Sequence, residues 1–176
     1  MAIKRIAHVF CSASLPRAVR PIPIKVVHVG KASSRGAEDF SKEWADKLRR
    51  YTQVVETQIR PNPTNAKDPN VAKSHEGERL LKCIGQGERL VVLDERGKSV
   101  SSNEVAELLA TASDEGWSAI VFAIGGPYGH DAKVRDKAHT VIRLSSLVLN
   151  HTVARVVLLE QLYRGWTILR GEPYHH

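Results

Sequence analysis

From residue 24 onward, apolar residues follow two patterns that alternate along the chain. Short β-branched or wholly apolar runs predict five strands, the last of which includes a turn, over residues 24–29, 53–59, 89–94, 118–124 and 141–149. Helical spacing or capping residues predict helices over residues 37–51, 69–84, 102–115, 130–138 and 152–164. Residues 166–169 are predicted to form a last short strand. Strands that alternate with helices predict an α/β domain with a largely parallel sheet.

Local signals support several of these helices. Asp68 followed by Pro69 is a cap and first-turn signal for the second helix. Ser101 and Glu104 have the spacing of a capping box at the start of the third helix. In the first helix, helical spacing predicts one apolar stripe that consists of Phe40, Trp44, Leu48 and Tyr51.

The composition is that of one ordinary globular domain. The chain has 176 residues, of which 42% are hydrophobic and 26% charged, values that exclude disordered, collagenous and coiled-coil chains. No run approaches the roughly 18 apolar residues that a membrane helix needs, so no membrane association is predicted. The two cysteines, Cys11 and Cys83, cannot form a disulfide framework, so the chain either belongs in a reducing compartment or is indifferent to redox conditions.

The net charge of +7 belongs to the beginning of the chain. Residues 1–37 contain seven Lys or Arg and no acidic residue, whereas residues 38–176 contain equal numbers of basic and acidic residues. This distribution weakens the inference from net charge to a nucleic-acid-binding domain. We interpret residues 1–23 as a basic N-terminal segment that carries a chloroplast or mitochondrial presequence. The alternative is a disordered basic arm on a cytoplasmic protein.

Candidate chemistry concentrates where predicted strands end, since ligands of parallel α/β sheets lie outside the carboxyl ends of the strands. Gly125 and Gly126 follow a buried strand directly, and two interpretations stay open: close approach of a ligand to the backbone, or a tight turn. The spacing does not match the dinucleotide-binding fingerprint, and the phosphate-loop pattern fails at Val92. The histidines show no metal-ligand spacing, so no metal site is predicted.

Three segments in fixed order resemble one specific family. They are RLVVLDERGK (89–98), AIVFAIGGPYG (119–129) and IRLSSLVLNHTVARVVLLEQLYRGWTILRGEPYHH (142–176). Residues 24–176 resemble the RlmH family, the YbeA-type branch of the SPOUT methyltransferases. The resemblance implies a SPOUT-type α/β knot, with a mostly parallel sheet and a C-terminal trefoil knot, which is a rare topology. It also implies a homodimeric enzyme that uses S-adenosyl-L-methionine to methylate N3 of a pseudouridine in large-subunit ribosomal RNA, free or in the assembled ribosome.

The resemblance also assigns site residues. The family's cofactor pocket corresponds to Leu93, Gly125, Gly126, Leu144, Ser145, Ser146, Leu147, Val148 and Leu149. Candidates for alignment and deprotonation of the acceptor nitrogen lie in or beside the strongest motif and are His151, Arg164, Tyr174 and His175. The structural alternatives are that His151 caps the following helix and that Tyr163 or Trp166 belongs to the core. The chain has Asn150 where the family commonly has proline, and His176 where it commonly has arginine.

Two other functions remain as alternatives. One is a catalytically inactive RNA-binding, ribosome-associated factor of the same fold, and the other is an α/β enzyme that uses a nicotinamide dinucleotide. For the homodimer, the predicted interface is the apolar helix around Val153, Val156, Val157 and Leu159.

Overall fold

The computed structural model describes residues 18–31, 33–62 and 64–173. Along these residues strands alternate with helices, in the order β1 (Ile24–Val29), α1 (Arg35–Leu48), β2 (Val54–Ile59), α2 (Pro69–Lys82), β3 (Glu88–Ser99), α3 (Ser102–Asp114), β4 (Ala119–Ile124), α4 (Ala132–Asp136), β5 (Thr140–Arg143) and α5 (His151–Arg170).

The five strands form one sheet in the order β2-β1-β4-β3-β5. Each neighbouring pair is parallel, which confirms the predicted α/β class. The chain leaves β3 through α3 on one face of the sheet and leaves β4 through α4 on the other. A crevice therefore opens between the carboxyl ends of β3 and β4, at the kind of topological switch point where α/β proteins bind ligands.

Both faces of the sheet are covered by helices. α1, α3 and α5 pack on one face, where Ile120 and Phe122 of β4 point, and α2 and α4 cover the other, where Val121 and Ala123 point. Burial on both sides explains why β4 is apolar at every position rather than at alternate ones.

The predicted capping signals are confirmed. The Ser101 side chain accepts a hydrogen bond from the Glu104 N–H while the Glu104 side chain accepts one from the Ser101 N–H. Asp68 caps α2 by accepting from the Asn70 N–H at 2.8 Å. These bonds satisfy N–H groups that the first turn of a helix leaves without partners.

The prediction of a strand over 166–169 is wrong, because α5 continues to Arg170. Trp166 is 1% exposed, so the alternative that it belongs to the core is confirmed. Gly165 lets α5 approach α3 closely, since a Cβ there would lie 3.4 Å from the Ala106 Cα. A short apolar run buried in a helix has the same composition as a buried strand, which is why the pattern misled.

Two smaller predictions also need correction. β5 ends at Arg143, so the rest of the predicted strand and turn, residues 144–149, is a loop that continues to Asn150. Phe40 is 49% exposed and lies outside the core, whereas Leu48 is fully buried and Trp44 and Tyr51 pack against the core.

The packed body extends a few residues before β1. Val19 and Ile22 are buried in the main core, and the Ser113 hydroxyl donates to the Arg20 carbonyl at 2.8 Å. Residues 1–17, and with them most of the predicted presequence, lie outside the described residues. No helix of the described ranges is long and apolar enough to cross a bilayer. The C-terminal knot stays a prediction.

Candidate functional site

An open cavity of about 650 Å³ lies at the carboxyl ends of the strands. Its walls come from the end of β3, the loop after β4, the loop after β5 and the first turn of α5. Its volume falls in the range of sites for small molecules and cofactors. The crevice between β3 and β4 therefore leads into a recess of ligand size.

Gly125 and Gly126 form the turn that leaves β4 for the cavity wall. The Gly129 N–H donates to the Gly126 carbonyl at 2.9 Å, and Gly129 has a positive φ of 73°. A Cβ on Gly126 would lie 2.8 Å from Oε2 of Glu76, and one on Gly125 would lie 3.0 Å from the Gly129 carbonyl carbon. The tight-turn interpretation is thus supported, and the same glycines also line the cavity.

A bulge in β3 supplies wall residues that the sequence did not predict. Leu93 and Lys98 both pair with Ile142 of β5, so residues 94–97 leave the regular ladder. Gly97 lets the bulge lie close to β5, because a Cβ on Gly97 would lie 2.4 Å from the Ile142 carbonyl carbon. The residues that the bulge adds to the wall are Asp94, Glu95 and Arg96. The sequence signal for this bulge was Gly97 followed by Lys98 and Ser99. That pattern was compared only with a phosphate-binding loop, which it does not match.

His130 connects the two sides of the crevice, the loop after β4 and the strand β3. Its buried ring contacts the Leu93 carbonyl through Nε2 at 3.1 Å, and its own carbonyl accepts from Nη1 of Arg135 at 2.8 Å. Burial lowers the pKa of His130, so the ring stays neutral near pH 7. The Asp94 carboxylate, which lines the cavity, lies 3.6 Å from the same Arg135 guanidinium.

The loop from residue 144 to 150 forms the apolar wall. Leu147 and Val148 are 73% and 83% exposed, which leaves a large apolar surface at the cavity mouth. The Ser145 hydroxyl accepts from the Leu147 N–H at 2.9 Å and so shapes the loop. Of the nine predicted cofactor residues, eight line the cavity and Ser146 does not.

His151 is the one predicted catalytic candidate that the described chain places at the cavity. It is the first residue of α5, and the cap is Asn150, whose side chain accepts from the Val153 N–H at 2.9 Å. The alternative that His151 itself caps the helix is therefore wrong. The His151 ring lies against Gly30, where a Cβ would be 2.5 Å from its Cδ2.

A partly buried polar cluster supports the first turn of α5. Arg155 donates from Nε to Glu56 at 2.7 Å and from Nη1 to Glu38 at 2.8 Å, linking α5 to β2 and α1. His28 of β1 is buried beside this cluster, and burial, followed by the charge of Arg155, lowers its pKa to about 4. The Ser33 and Thr152 hydroxyls are hydrogen-bonded at 3.1 Å. The backbone around His151 is thus fixed by contacts to β2, to α1 and to the loop before α1.

Arg164 does not line the cavity, and its guanidinium is paired with Glu160. It lies thirteen residues beyond His151 on one helix, or about 20 Å along the axis. Within one chain, Arg164 and His151 therefore do not share a site. Tyr174 and His175 lie outside the described residues. Among the residues that are described, no three His, Cys, Asp or Glu side chains are grouped as metal ligands.

The architecture and the cavity define an α/β protein with a ligand site at the carboxyl edge of a parallel sheet. Residues 22–175 match the family model described as "Predicted SPOUT methyltransferase". The chain belongs to the SPOUT methyltransferase family, as the sequence motifs predicted.

Similar proteins agree with this assignment. The chain is 48% identical over 160 residues to "Putative RNA methyltransferase At5g10620" of Arabidopsis thaliana, covering 91% of this chain and 83% of that protein. It is 43% identical over 153 residues to "Ribosomal RNA large subunit methyltransferase H" of Geotalea daltonii, covering 87% and 99%. A crystal structure titled "Probable Methyltransferase from Bordetella pertussis Tohama I" shares the fold, with a TM-score of 0.51, 14% identity and coverage of 81% and 93%.

Proposed function

We propose that this protein transfers a methyl group from S-adenosyl-L-methionine to large-subunit ribosomal RNA, at N3 of a pseudouridine. The observation that carries the proposal is the cavity at the carboxyl ends of β3 and β4, in a chain of the SPOUT family. Relatives named ribosomal RNA large subunit methyltransferase H match 84–87% of this chain at 38–43% identity, which supports the choice of RNA.

The cavity residues fit this cofactor. Leu147 and Val148 offer the apolar surface that an adenine ring needs, and the turn at Gly125 and Gly126 brings backbone close without side chains. Arg143 lines the cavity, and its Nε has no hydrogen-bond partner among the described residues. Its guanidinium is a donor suited to a carboxylate such as that of the methionyl tail. When bound, S-adenosyl-L-methionine supplies a methyl group activated by the sulfonium.

The proposed role of His151 is to accept the proton that N3 of the base must lose. A neutral imidazole carries one unprotonated nitrogen that accepts a hydrogen bond or a proton. His151 lies at the cavity, and its contact with Gly30 and the fixed first turn of α5 restrict its position. Restricted orientation of a general base lowers the entropic part of the barrier.

A homodimer remains part of the proposal. The apolar side chains exposed near the cavity and the start of α5 are Leu147, Val148 and Val153. A second copy of the chain would cover apolar surface of this kind. Leu159 is fully buried within its own chain, so its predicted place in the interface is wrong. The aromatic and imidazole groups of Tyr174 and His175 stay candidates for packing on the base and for proton transfer.

Mass spectrometry of ribosomal RNA from cells that lack this protein tests the substrate. We expect one methyl group on a large-subunit pseudouridine to be missing, and its return when the wild-type gene is restored. Purified protein tests the site: His151→Ala should lower kcat at least about a hundredfold while the Kd for S-adenosyl-L-methionine changes little.

The matched control is His75→Ala, because His75 is a partly exposed histidine on α2, outside the cavity, whose ring bonds Thr64. It should methylate at the wild-type rate. Full activity of His151→Ala would remove His151 from the mechanism. Wild-type protein that binds no S-adenosyl-L-methionine by calorimetry would favour the inactive RNA-binding factor instead.

A further inference from the structure

A second recess lies beside the cavity, at the carboxyl ends of β1 and β2. It has a volume of about 360 Å³ and is lined by Gly30, Lys31, Gln58, Arg60 and Pro61. The Gln58 amide donates to the Gly30 carbonyl at 3.0 Å and ties the two strand ends together. We refer to these five residues as the basic groove.

The basic groove carries positive charge that the described structure does not neutralise. Lys31 and Arg60 are exposed, and neither has a carboxylate within 4.0 Å in residues 18–31, 33–62 and 64–173. On the adjoining elements, Glu38 of α1 and Glu56 of β2 are both held by Arg155. The other acidic residues of α1 pair with basic residues of the same helix or its C-cap: Asp39 with Arg35, Glu43 with Lys47 and Asp46 with Arg49. The two cations are therefore available to an anionic ligand.

The turn that carries Arg60 is structured. Asn62 adopts a left-handed conformation with φ of 42°, and its N–H donates at 2.6 Å to Oε1 of the buried Glu76. The Asn62 side chain also accepts from the Ala66 N–H at 2.8 Å and donates to the Ala66 carbonyl at 3.0 Å. Arg60 thus extends from a fixed backbone rather than from a loose loop.

The basic groove and the cavity meet at one contact. Gly30 lines the basic groove, and His151 lines the cavity, and the two residues touch without space for a methyl group. β1 lies between β2 and β4 in the sheet, so the groove over β1 and β2 continues directly toward the crevice beside β4. A ligand group in the groove would be a neighbour of a base held at His151.

We propose that Lys31 and Arg60 bind a backbone phosphate of the RNA next to the nucleotide that is methylated at His151. This inference rests on the proposed function and names the surface that positions its substrate. Residues 38–176 are electrically neutral as a whole, so RNA binding needs a local cluster of cations. Lys and Arg contacts to phosphate fix the register of a nucleic acid on a protein, whereas base contacts specify the sequence.

The test compares two double variants of the full chain. Lys31→Gln with Arg60→Gln removes the cations of the basic groove. The control, Arg50→Gln with Lys82→Gln, removes the same charge from exposed residues near the C-terminal ends of α1 and α2, at the opposite edge of the sheet. Binding of a large-subunit ribosomal RNA fragment is measured by fluorescence anisotropy between 50 and 300 mM KCl, with methylation kinetics in parallel.

For the groove variant we expect RNA affinity to fall about tenfold near 100 mM salt. The slope of log K against log salt should become shallower by about 0.7, as for the loss of one phosphate contact on a single strand. KM for RNA should rise with kcat little changed, and the Kd for S-adenosyl-L-methionine and Tm should match those of the control. Equal affinity and slope in the two variants would overturn the proposal.

The outcomes separate this proposal from the proposed function. Wild-type protein that methylates RNA, with a groove variant that matches the control, would overturn only the role of Lys31 and Arg60. Wild-type protein that binds RNA without methylating it would overturn the proposed function. The salt slopes of the two variants would still decide whether the groove holds phosphate.

Discussion

His28 is a buried histidine that the fold accepts in its neutral form. Its side chain is 5% exposed, and Nδ1 has no hydrogen-bond partner among the described residues. Burial and the nearby Arg155 charge lower its pKa from 6.5 to about 4. Between pH 6.5 and 4 the unfolded chain therefore binds more protons than the folded chain at this residue. Stability falls as the pH decreases through that window.

We expect His28 to lower the free energy of unfolding by about 2 kcal/mol between pH 7.5 and pH 5. Urea unfolding at the two pH values measures this loss. His28→Leu should show a smaller loss than wild type, while His75→Leu, a change at a partly exposed histidine, should keep the wild-type difference. The same loss in His28→Leu and wild type would show that other groups cause it.

Gly30 positions His151 through the absence of a side chain. A Cβ at Gly30 would lie 2.5 Å from Cδ2 and 2.7 Å from Nε2 of His151, so Gly30→Ala must displace the ring. Because a side chain moves more easily than backbone, we expect a change of about 1 kcal/mol or less in stability. Methyl transfer should nevertheless fall at least about tenfold.

The measurement is kcat, together with the Kd for S-adenosyl-L-methionine and the urea midpoint. Gly36→Ala is the control for this substitution, since a Cβ at that exposed helical residue would meet nothing within 4 Å. If Gly30→Ala methylates RNA as fast as Gly36→Ala, the position of His151 does not matter for the reaction.

The pairing of β3 with β5 depends on Gly97. A Cβ added at Gly97 would meet backbone atoms, whereas a Cβ added at Gly30 would meet a side chain. A Cβ on Gly97 would lie 2.4–2.7 Å from three backbone atoms of Ile142, which cannot move without separating the strands. We expect Gly97→Ala to destabilise the protein by about 3 kcal/mol. Gly36→Ala should instead stabilise it by about 0.5 kcal/mol, since alanine has less freedom in the unfolded chain.

Urea unfolding of the two alanine variants measures both effects. Gly97→Ala should also bind S-adenosyl-L-methionine more weakly, because the bulge at residues 94–97 forms one wall of the cavity. The Kd for the cofactor measures this effect. A Gly97→Ala variant as stable as wild type would mean that β5 pairs with β3 by another register.

The folded body as a whole begins before the predicted boundary at residue 24. Val19 and Ile22 are buried in the main core, and the Thr52 hydroxyl donates to the Ile22 carbonyl at 2.7 Å. We expect a chain without residues 1–17 to keep the wild-type Tm and cofactor affinity. Removal of residues 1–23 should cost about 4 kcal/mol, as two aliphatic side chains leave the core.

Thermal and urea unfolding of the two truncated chains test this boundary, and equal stability would show that residues 18–23 do not support the core. Chloroplast or mitochondrial import remains a prediction for the N-terminal segment. A fluorescent fusion of the full chain should enter the organelle, and a fusion without residues 1–17 should not. Cytosolic fluorescence of the full chain would leave the basic arm as the interpretation.

Much of this protein follows from local rules in the sequence. The order of strands and helices, the caps at Asp68 and Ser101, and the parallel sheet were predictable, because burial on both faces and helix capping act over a few residues. Eight cavity residues were predictable for a different reason: they lie in motifs that resemble a known family. Neither source required knowledge of distant contacts.

The remaining features depend on elements far apart in the sequence. The bulge that brings Asp94 to the cavity exists because Gly97 crosses the backbone of Ile142, and the position of His151 depends on the absence of a side chain at Gly30. α5 continues through Trp166 because that ring fills a core formed by other helices and strands. Local patterns report propensity and capping, whereas these features are decided by packing between segments, which a linear pattern does not contain.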